Sequence, residues 1–235
     1  MTIAIPSVIH TRFGTARYSD TRPSQTLIHT VANWMWLPVL VMGVMAIATA
    51  AGLGIAQARV ASDLTEFTAR RQANYETLKP LTAGFLFLGE ALILSGISFL
   101  LATILGALRR GGGEVQEAVG ARTKTLTMPW SAWAFIALMM TGLMAEVVAF
   151  GTLTYVAAQA HDAWIGATAA GAPGDVAAFH RASTYAAWAN PLREAALGAL
   201  LTGIGFALYT ISNVLGFGFS RIRELILGEE EGDLS

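Results

Sequence analysis

Long apolar segments alternate with polar connections along the chain, and the clearest of these segments is Leu81–Leu108. It carries one charged residue, Glu90, in a run that exceeds the roughly 20 apolar residues with which a helix crosses a bilayer. Three further segments share this pattern. The chain is therefore predicted to be an all-α integral membrane protein, with four transmembrane helices at about residues 34–57, 81–108, 130–160 and 193–219.

The connections between these segments carry helical periodicity of their own. Apolar residues recur near helical spacing between Ala58 and Pro80, and Asp175 is placed to cap an apolar stretch that ends before Pro191. We therefore expect short amphipathic helices in the connections. The stretch Met1–Asp20 shows no such period and is expected to be loosely structured.

The predicted spans form two helical hairpins, which divide the chain into four parts. Each hairpin contains two spans and the polar connection between them. The parts are an N-terminal cytoplasmic or interfacial segment at 1–33, a first hairpin at 34–128, a second hairpin at 129–219, and an acidic C-terminal tail at 220–235.

The two hairpins resemble each other in sequence. Gly96–Ile104 of the second span matches Gly203–Ile211 of the fourth without a gap, and Gly43–Ala46 of the first span matches Gly142–Ala145 of the third. Chance similarity between apolar helices is the alternative, but we favour a duplicated hairpin. Because each repeat holds an even number of spans, the copies are predicted to be parallel, related by an axis along the membrane normal.

Composition agrees with the membrane class and narrows the chemistry. Hydrophobic residues make up 54% of the chain and charged residues 13%, against about a quarter in soluble domains. A net charge of -1 offers no basic surface, so we expect no nucleic acid partner. The absence of cysteine excludes disulfides, thiolate metal sites and cysteine-ligated iron–sulfur clusters.

The distribution of basic residues predicts an orientation. Nine of the 15 Lys and Arg residues lie in the N-terminal segment, the 109–128 connection and the tail. By the positive-inside rule this bias places both termini in the cytoplasm. Four arginines directly flank spans and are predicted to contact lipid headgroups, namely Arg109, Arg110, Arg221 and Arg223.

Two carboxylates inside the predicted spans carry the sharpest chemical signal. Glu90 and Glu146 both fall in the outer half to the middle of the membrane, where an ionised carboxylate costs several kcal/mol. Each lies on a bulky apolar face of its helix, so each is expected to face a second helix, in this chain or in another. Three hypotheses remain open for the pair: a structural hydrogen bond to Thr, Ser, Tyr155, Arg193 or a polar group of a partner subunit, a proton or cation relay, or metal ligation.

Elsewhere in the sequence, little indicates a metal site, a cofactor site or a catalytic nucleophile. His161, Asp162 and His180 in the last connection are candidate metal ligands near the outer face, although their spacing matches no metal motif. No histidine lies inside a predicted span, so two helices cannot clamp a haem through imidazoles. We expect no cofactor, and no serine, cysteine or histidine arrangement indicates nucleophilic catalysis.

These observations predict a non-catalytic integral membrane subunit of a larger membrane complex, with other membrane subunits and lipid as its partners. The soluble parts are too short to form domains, and buried acids on bulky faces suit a contact with another subunit. The main alternative is a small proton- or ion-coupled transporter or channel that uses Glu90 and Glu146. A second alternative is a component of a membrane metalloenzyme.

Overall fold

The computed structural model describes residues 7–11, 14–19, 27–62, 68–120, 123–169 and 171–227. Helices account for most of this part of the chain, and the rest consists of short strands and connecting turns. In chain order the elements are β1 (Ser7–Thr11), β2 (Gly14–Ser19), α1 (Leu27–Ser62), α2 (Ala69–Ala118), β3 (Thr125–Leu126), α3 (Trp130–Ile165) and α4 (Val176–Leu227).

Each helix contains an apolar window long enough to cross a membrane, so the prediction of four such helices is confirmed for the described residues. This finding is consistent with the predicted class, an integral membrane protein. α2 and α4 have 50 and 52 residues, which at 1.5 Å per residue gives each a length of about 75 Å. Since the hydrocarbon core is only about 30 Å thick, both helices extend well beyond it.

The short helices expected in the connections are not separate elements. Residues 69–80 and 176–190 are the first turns of α2 and α4, which continue through Pro80 and Pro191. A proline removes one backbone hydrogen bond, and neighbouring turns can hold the helix together across it. Asp175 caps α4 as predicted, since its Oδ1 accepts hydrogen bonds from the Ala177 and Ala178 amides at 2.9 and 3.0 Å.

A small antiparallel sheet forms in order β1-β2-β3 and was not predicted from the sequence. β1 and β2 fall in the stretch that we expected to be loosely structured, and β2 pairs with β3 through Tyr18 and Leu126. β-branched and aromatic residues in these segments favour strands, but the segments are too short and polar to stand out beside the spans. An open sheet cannot lie in hydrocarbon, because its edge groups would find no partner there.

The described residues fall into two compact units, each of which draws on all four helices. The first unit comprises residues 37–96 and 138–201. Within it, α1 and α2 are antiparallel and approach most closely at glycines. A Cβ atom at Gly43 would lie 2.8 Å from Ile93 Cγ1, and one at Gly89 would lie 2.5 Å from Ile47 Cγ1. Glycine is therefore required at both positions for the helix backbones to come this close.

α3 and α4 are antiparallel in the same unit, along a continuous line of contacts. Gly142 faces Leu200, where an added Cβ would lie 2.7 Å from the leucine side chain. Towards the other end, the rings of Tyr155 and Tyr185 meet edge-on at 5.1 Å. Beyond them the guanidinium of Arg181 donates from Nε to Gln159 Oε1 at 2.6 Å. The contacts between α3 and α4 are therefore made by small residues near the middle of the hairpin and by polar and aromatic residues near its end.

α2 and α3 also run antiparallel in the first unit. Near the beginning of α2, Ala73 clusters with Ala163 and Trp164. Further along, Gly84 packs against Leu153, which lies 3.4 Å from where a Cβ would stand. These contacts align the two helices and set the depth of the residues between them.

The second unit lies within residues 1–36, 97–137 and 202–235. Here the Ser131 and Thr210 hydroxyls form a buried hydrogen bond of 2.7 Å between α3 and α4. Leu126 of β3 packs against Val214 and Phe217 of α4, so the sheet is fixed to the helices at this end.

Candidate functional site

Glu146 lies on the buried face of α3 in the first unit. Its exposed fraction is 2%, and Ala149 and Leu153 on the following turns are also buried. The Oε2 atom has no hydrogen-bond partner, and no described residue forms an ion pair with the carboxylate. Burying a charge without a partner is costly, so this side chain must be neutral or meet a ligand that the described residues do not supply.

Glu90, in contrast to Glu146, lies on an exposed surface of the first unit. Its side chain is on the exposed face of α2, together with Leu86, while Phe87 and Ala91 beside it point into the protein and are buried. Within the described ranges, no residue hydrogen-bonds to or pairs with this carboxylate. The expectation that each acid faces a second helix therefore has a different outcome for the two: Glu146 lies inside this chain, and Glu90 faces away from it.

The helix contacts place these two acids at about the same depth in the first unit. Gly84 of α2 packs against Phe150 and Leu153 of α3. Because the helices are antiparallel, moving onward along α2 by less than two turns reaches Glu90, while moving back along α3 by about one turn reaches Glu146. The structure therefore assigns both carboxylates to one layer, although it gives no contact between them.

α4 adds an ion pair to this layer. The contact between Gly142 and Leu200 sets the register of α3 against α4, and one turn further along α3 Glu146 is level with Arg193 and Glu194. Arg193 donates to Glu194 Oε1 from Nη2 at 2.7 Å and from Nε at 3.2 Å. Arg193 therefore bonds to its neighbour, and among the described contacts it does not neutralise Glu146.

The depth of Arg193 does not follow from the sequence. The predicted fourth span begins at about residue 193, and Arg193 is a candidate hydrogen-bond partner of the two acids, but the register of α4 against α3 is not given by that pattern. Continuation of α4 through Pro191 brings the ion pair level with the acid. The matching glycines Gly43 and Gly142 are the sequence feature that indicates this register, because each lies where the two helices of its hairpin approach most closely.

A cavity of about 330 Å³ opens in the first unit on the same face of α3 that carries Glu146. Leu153, Val156 and Ala160 line it, and they follow Glu146 at helical spacing. Its polar rim includes Glu76, which accepts from Lys79 Nζ at 3.0 Å. No pattern in the sequence indicated this cavity, because it depends on three helices meeting.

The four arginines predicted to contact lipid lie in the second unit, and two of them bind backbone carbonyls. Arg109 Nη2 donates to the Leu126 carbonyl at 3.2 Å, and Arg110 Nε donates to the Gly106 carbonyl at 3.4 Å. Arg221 pairs with Glu224, and Arg223 is exposed. Contact with headgroups stays a prediction for all four.

The candidate metal ligands are spread over two helices. His161 and Asp162 lie near the end of α3, and His180 lies on the exposed surface of α4. In the part of the chain that the structure describes, no three His, Cys, Asp or Glu side chains come close enough to hold a metal ion. The metal hypothesis for these residues, and for Glu90 and Glu146, therefore gains no structural support.

Comparison with known proteins adds no constraint. The chain matches no protein-family model, no curated protein and no solved structure. Any functional conclusion must therefore come from the site itself.

Proposed function

We propose that this chain is a non-catalytic integral membrane subunit that assembles with other membrane subunits. One observation carries the proposal: Glu90 lies on the exposed face of an apolar span and has no partner among the described residues. The neighbouring Leu86, 44% exposed, shows that this face of α2 points away from the rest of the chain. A surface of this kind suits a second protein better than lipid.

The physical argument rests on the cost of an acid in hydrocarbon. A carboxylate near the centre of a spanning helix costs roughly 2.5–3.5 kcal/mol on insertion scales, and such residues usually face protein or a water-filled cavity. A partner helix that presents a hydroxyl, an amide or a cation at the depth of Glu90 would remove this cost. The partner is thus defined by its chemistry, as a spanning helix with a hydrogen-bond donor on an otherwise apolar face.

The duplicated hairpin is part of this proposal, because it gives the chain a rigid scaffold that presents Glu90 on one side only. The sequence matches align Gly43 with Gly142 and Ile93 with Leu200. In the structure Gly43 contacts Ile93, and Gly142 contacts Leu200. The same pair of positions therefore forms the closest approach in each hairpin, which supports duplication over chance similarity.

The duplication also marks Glu146 as an exception to the packing. Its equivalent in the first hairpin is Ile47, which packs against Gly89, and the equivalent of Gly89 is Ala196. Since an apolar side chain fills this position in one hairpin, packing alone does not explain a carboxylate in the other.

Purification from native membranes in a mild detergent tests the proposal. The wild-type chain should migrate on a native gel with unlike membrane subunits at fixed stoichiometry, measured by quantitative mass spectrometry. Glu90→Leu should weaken the complex by about 3- to 30-fold, the range expected for losing an interhelical hydrogen bond of 0.6–2 kcal/mol. Glu114→Leu, on the exposed end of α2, serves as the matched control and should leave the complex intact.

A wild-type chain that purifies only as a monomer or homo-oligomer would overturn the subunit proposal. Equal complex stability in Glu90→Leu and Glu114→Leu would instead show that Glu90 is not the contact.

A second candidate function is proton- or cation-coupled transport, which the buried and unpartnered Glu146 favours. The cavity on the same face of α3 extends as far as Leu153, two turns from this acid. Purified protein in liposomes should then dissipate a pH gradient, and Glu146→Gln should abolish the flux while Glu114→Gln retains it. Wild-type liposomes as tight as empty ones would exclude this candidate.

A further inference from the structure

One face of α4 is exposed in the first unit and carries a charged residue. It is formed by Pro191, Glu194, Gly198 and Leu201, which recur at helical spacing, together with Ala195 beside them, and all five are exposed. Leu201 is 56% exposed, and a Cβ atom added at Gly198 would meet no heavy atom within 4 Å. No described residue of this chain therefore covers this face.

Glu194 and its neighbour Arg193 lie deep along the membrane-spanning helices. They are level with Glu146 of α3, and the next Asp, Glu, Lys or Arg after Glu146 is Asp162, about 24 Å further along that helix at 1.5 Å per residue. Along α4 the nearest charged residue before Arg193 is Arg181, about 18 Å away. Since the hydrocarbon core is about 30 Å thick, these distances place the two charges inside it and away from its boundary.

The two charges neutralise each other, but they remain on an uncovered surface. Arg193 donates to Glu194 Oε1 from Nη2 at 2.7 Å and from Nε at 3.2 Å. The side chains are 29% and 65% exposed, respectively. Charged residues within spans almost always face other protein or a water-filled cavity, and a lipid acyl chain offers them no hydrogen bond. This face of α4 therefore requires a protein neighbour.

We propose that α4 packs against α4 of a second copy of this chain through this face, with Arg193 of each copy paired with Glu194 of the other. Copies inserted in the same orientation are related by a two-fold axis along the membrane normal, so equivalent residues meet at the same depth. Opposite charges at adjacent positions are then complementary to themselves. An unlike subunit would need its own matching pair at exactly this depth.

The residues beside the charges suit a close approach of two helices. Gly198 is one turn from Glu194 on the same face, and Ala195 lies next to it. Small residues let the backbones of membrane helices come together, and the space in front of Gly198 shows that no contact within the first unit requires glycine there. The inference goes beyond the proposed subunit function, because it concerns α4 and a second copy, whereas the unlike subunit is proposed to meet Glu90 on α2.

Disulfide crosslinking in native membranes tests the contact. The chain contains no cysteine, so Gly198→Cys introduces a single thiol into the full-length protein. A disulfide forms only where two Cα atoms come within about 7 Å, so mild oxidation should link two copies through this residue. Gly151→Cys is the matched control, since an added Cβ there also meets no heavy atom within 4 Å but the residue lies on α3, and it should remain monomeric.

Charge exchange between copies tests the ion pairs. Energy transfer between two labelled populations in liposomes measures the dimer as lipid is added. Arg193→Glu gives a copy with two acids and Glu194→Arg a copy with two cations, so each variant alone should dimerise about 3- to 30-fold more weakly than the wild type. An equal mixture of the two should recover the wild-type affinity, and this recovery also shows that both variants fold.

Several results would overturn the inference. Equal crosslinking of Gly198→Cys and Gly151→Cys would remove this face from the contact, and a mixture that dimerises no better than either charge variant would remove the ion pairs. A benzophenone on Gly198→Cys that captures only an unlike membrane protein would assign the face to that protein. Unlike subunits around a single copy of the chain would refute this dimer alone, whereas dimers that lack unlike subunits would support it and refute the subunit proposal.

Discussion

Replacing Glu146 with methionine should stabilise the folded protein. Glu146 is 2% exposed and its Oε2 has no partner, and in the proposed duplication the equivalent position of the first hairpin is the apolar Ile47. A buried polar group without a hydrogen bond costs about 1–3 kcal/mol even when it is uncharged. Methionine keeps a similar length and flexibility, so the strain it adds should be smaller than this gain.

Equilibrium unfolding in lipid bicelles with increasing detergent denaturant measures the effect. Glu146→Met is expected to raise the free energy of unfolding by about 1–3 kcal/mol. The matched control is Met139→Leu, a volume-conserving change on the same buried face of α3, which should alter stability by less than about 1.5 kcal/mol. A loss of stability in Glu146→Met beyond that of the control would refute the reasoning, because it would mean that the carboxylate has a stabilising partner.

Two further predictions concern the helix contacts. Gly43→Val and Gly142→Val should each lower the free energy of unfolding by about 1–3 kcal/mol, because the added side chain overpacks the contact between two helices. Gly151 lies in open space, so Gly151→Val should cost less than about 1 kcal/mol. Equal effects at all three positions would contradict the close approach of the helices. Ser131→Ala and Thr210→Val should show a coupling of about 0.6–1.7 kcal/mol in a double-mutant cycle of unfolding free energies, whereas strictly additive effects would mean that the hydroxyls do not interact.

The spans could be predicted from sequence because lipid leaves the backbone few options. A run such as Leu81–Leu108 must satisfy its own hydrogen bonds in hydrocarbon, so length and hydropathy alone indicate a helix. The structure follows this rule in all four apolar segments of the described chain. Helix ends were less predictable. Pro80 and Pro191 looked like boundaries, yet both helices pass through them because the flanking turns are held by contacts with other helices.

The candidate site was only half predictable. Sequence identified Glu90 and Glu146 as unusual, since each interrupts an apolar run. It could not distinguish them, because both lie on faces of large apolar residues that suit a helix interior and a lipid-facing surface equally well. The distinction comes from tertiary packing: Gly84 and Gly142 bring neighbouring helices against the face of α3 that carries Glu146, whereas the face of α2 that carries Glu90 stays uncovered.

Site-specific crosslinking beside Glu90 tests the proposed subunit function most directly. The chain contains no cysteine, so Leu86→Cys introduces a single reactive thiol one turn from Glu90 while leaving the acid in place. A benzophenone attached there and activated in native membranes should form a covalent adduct with one unlike membrane protein, and Glu90→Leu in the same chain should reduce its yield. Adducts with lipid alone, or with other copies of this chain alone, would contradict the account.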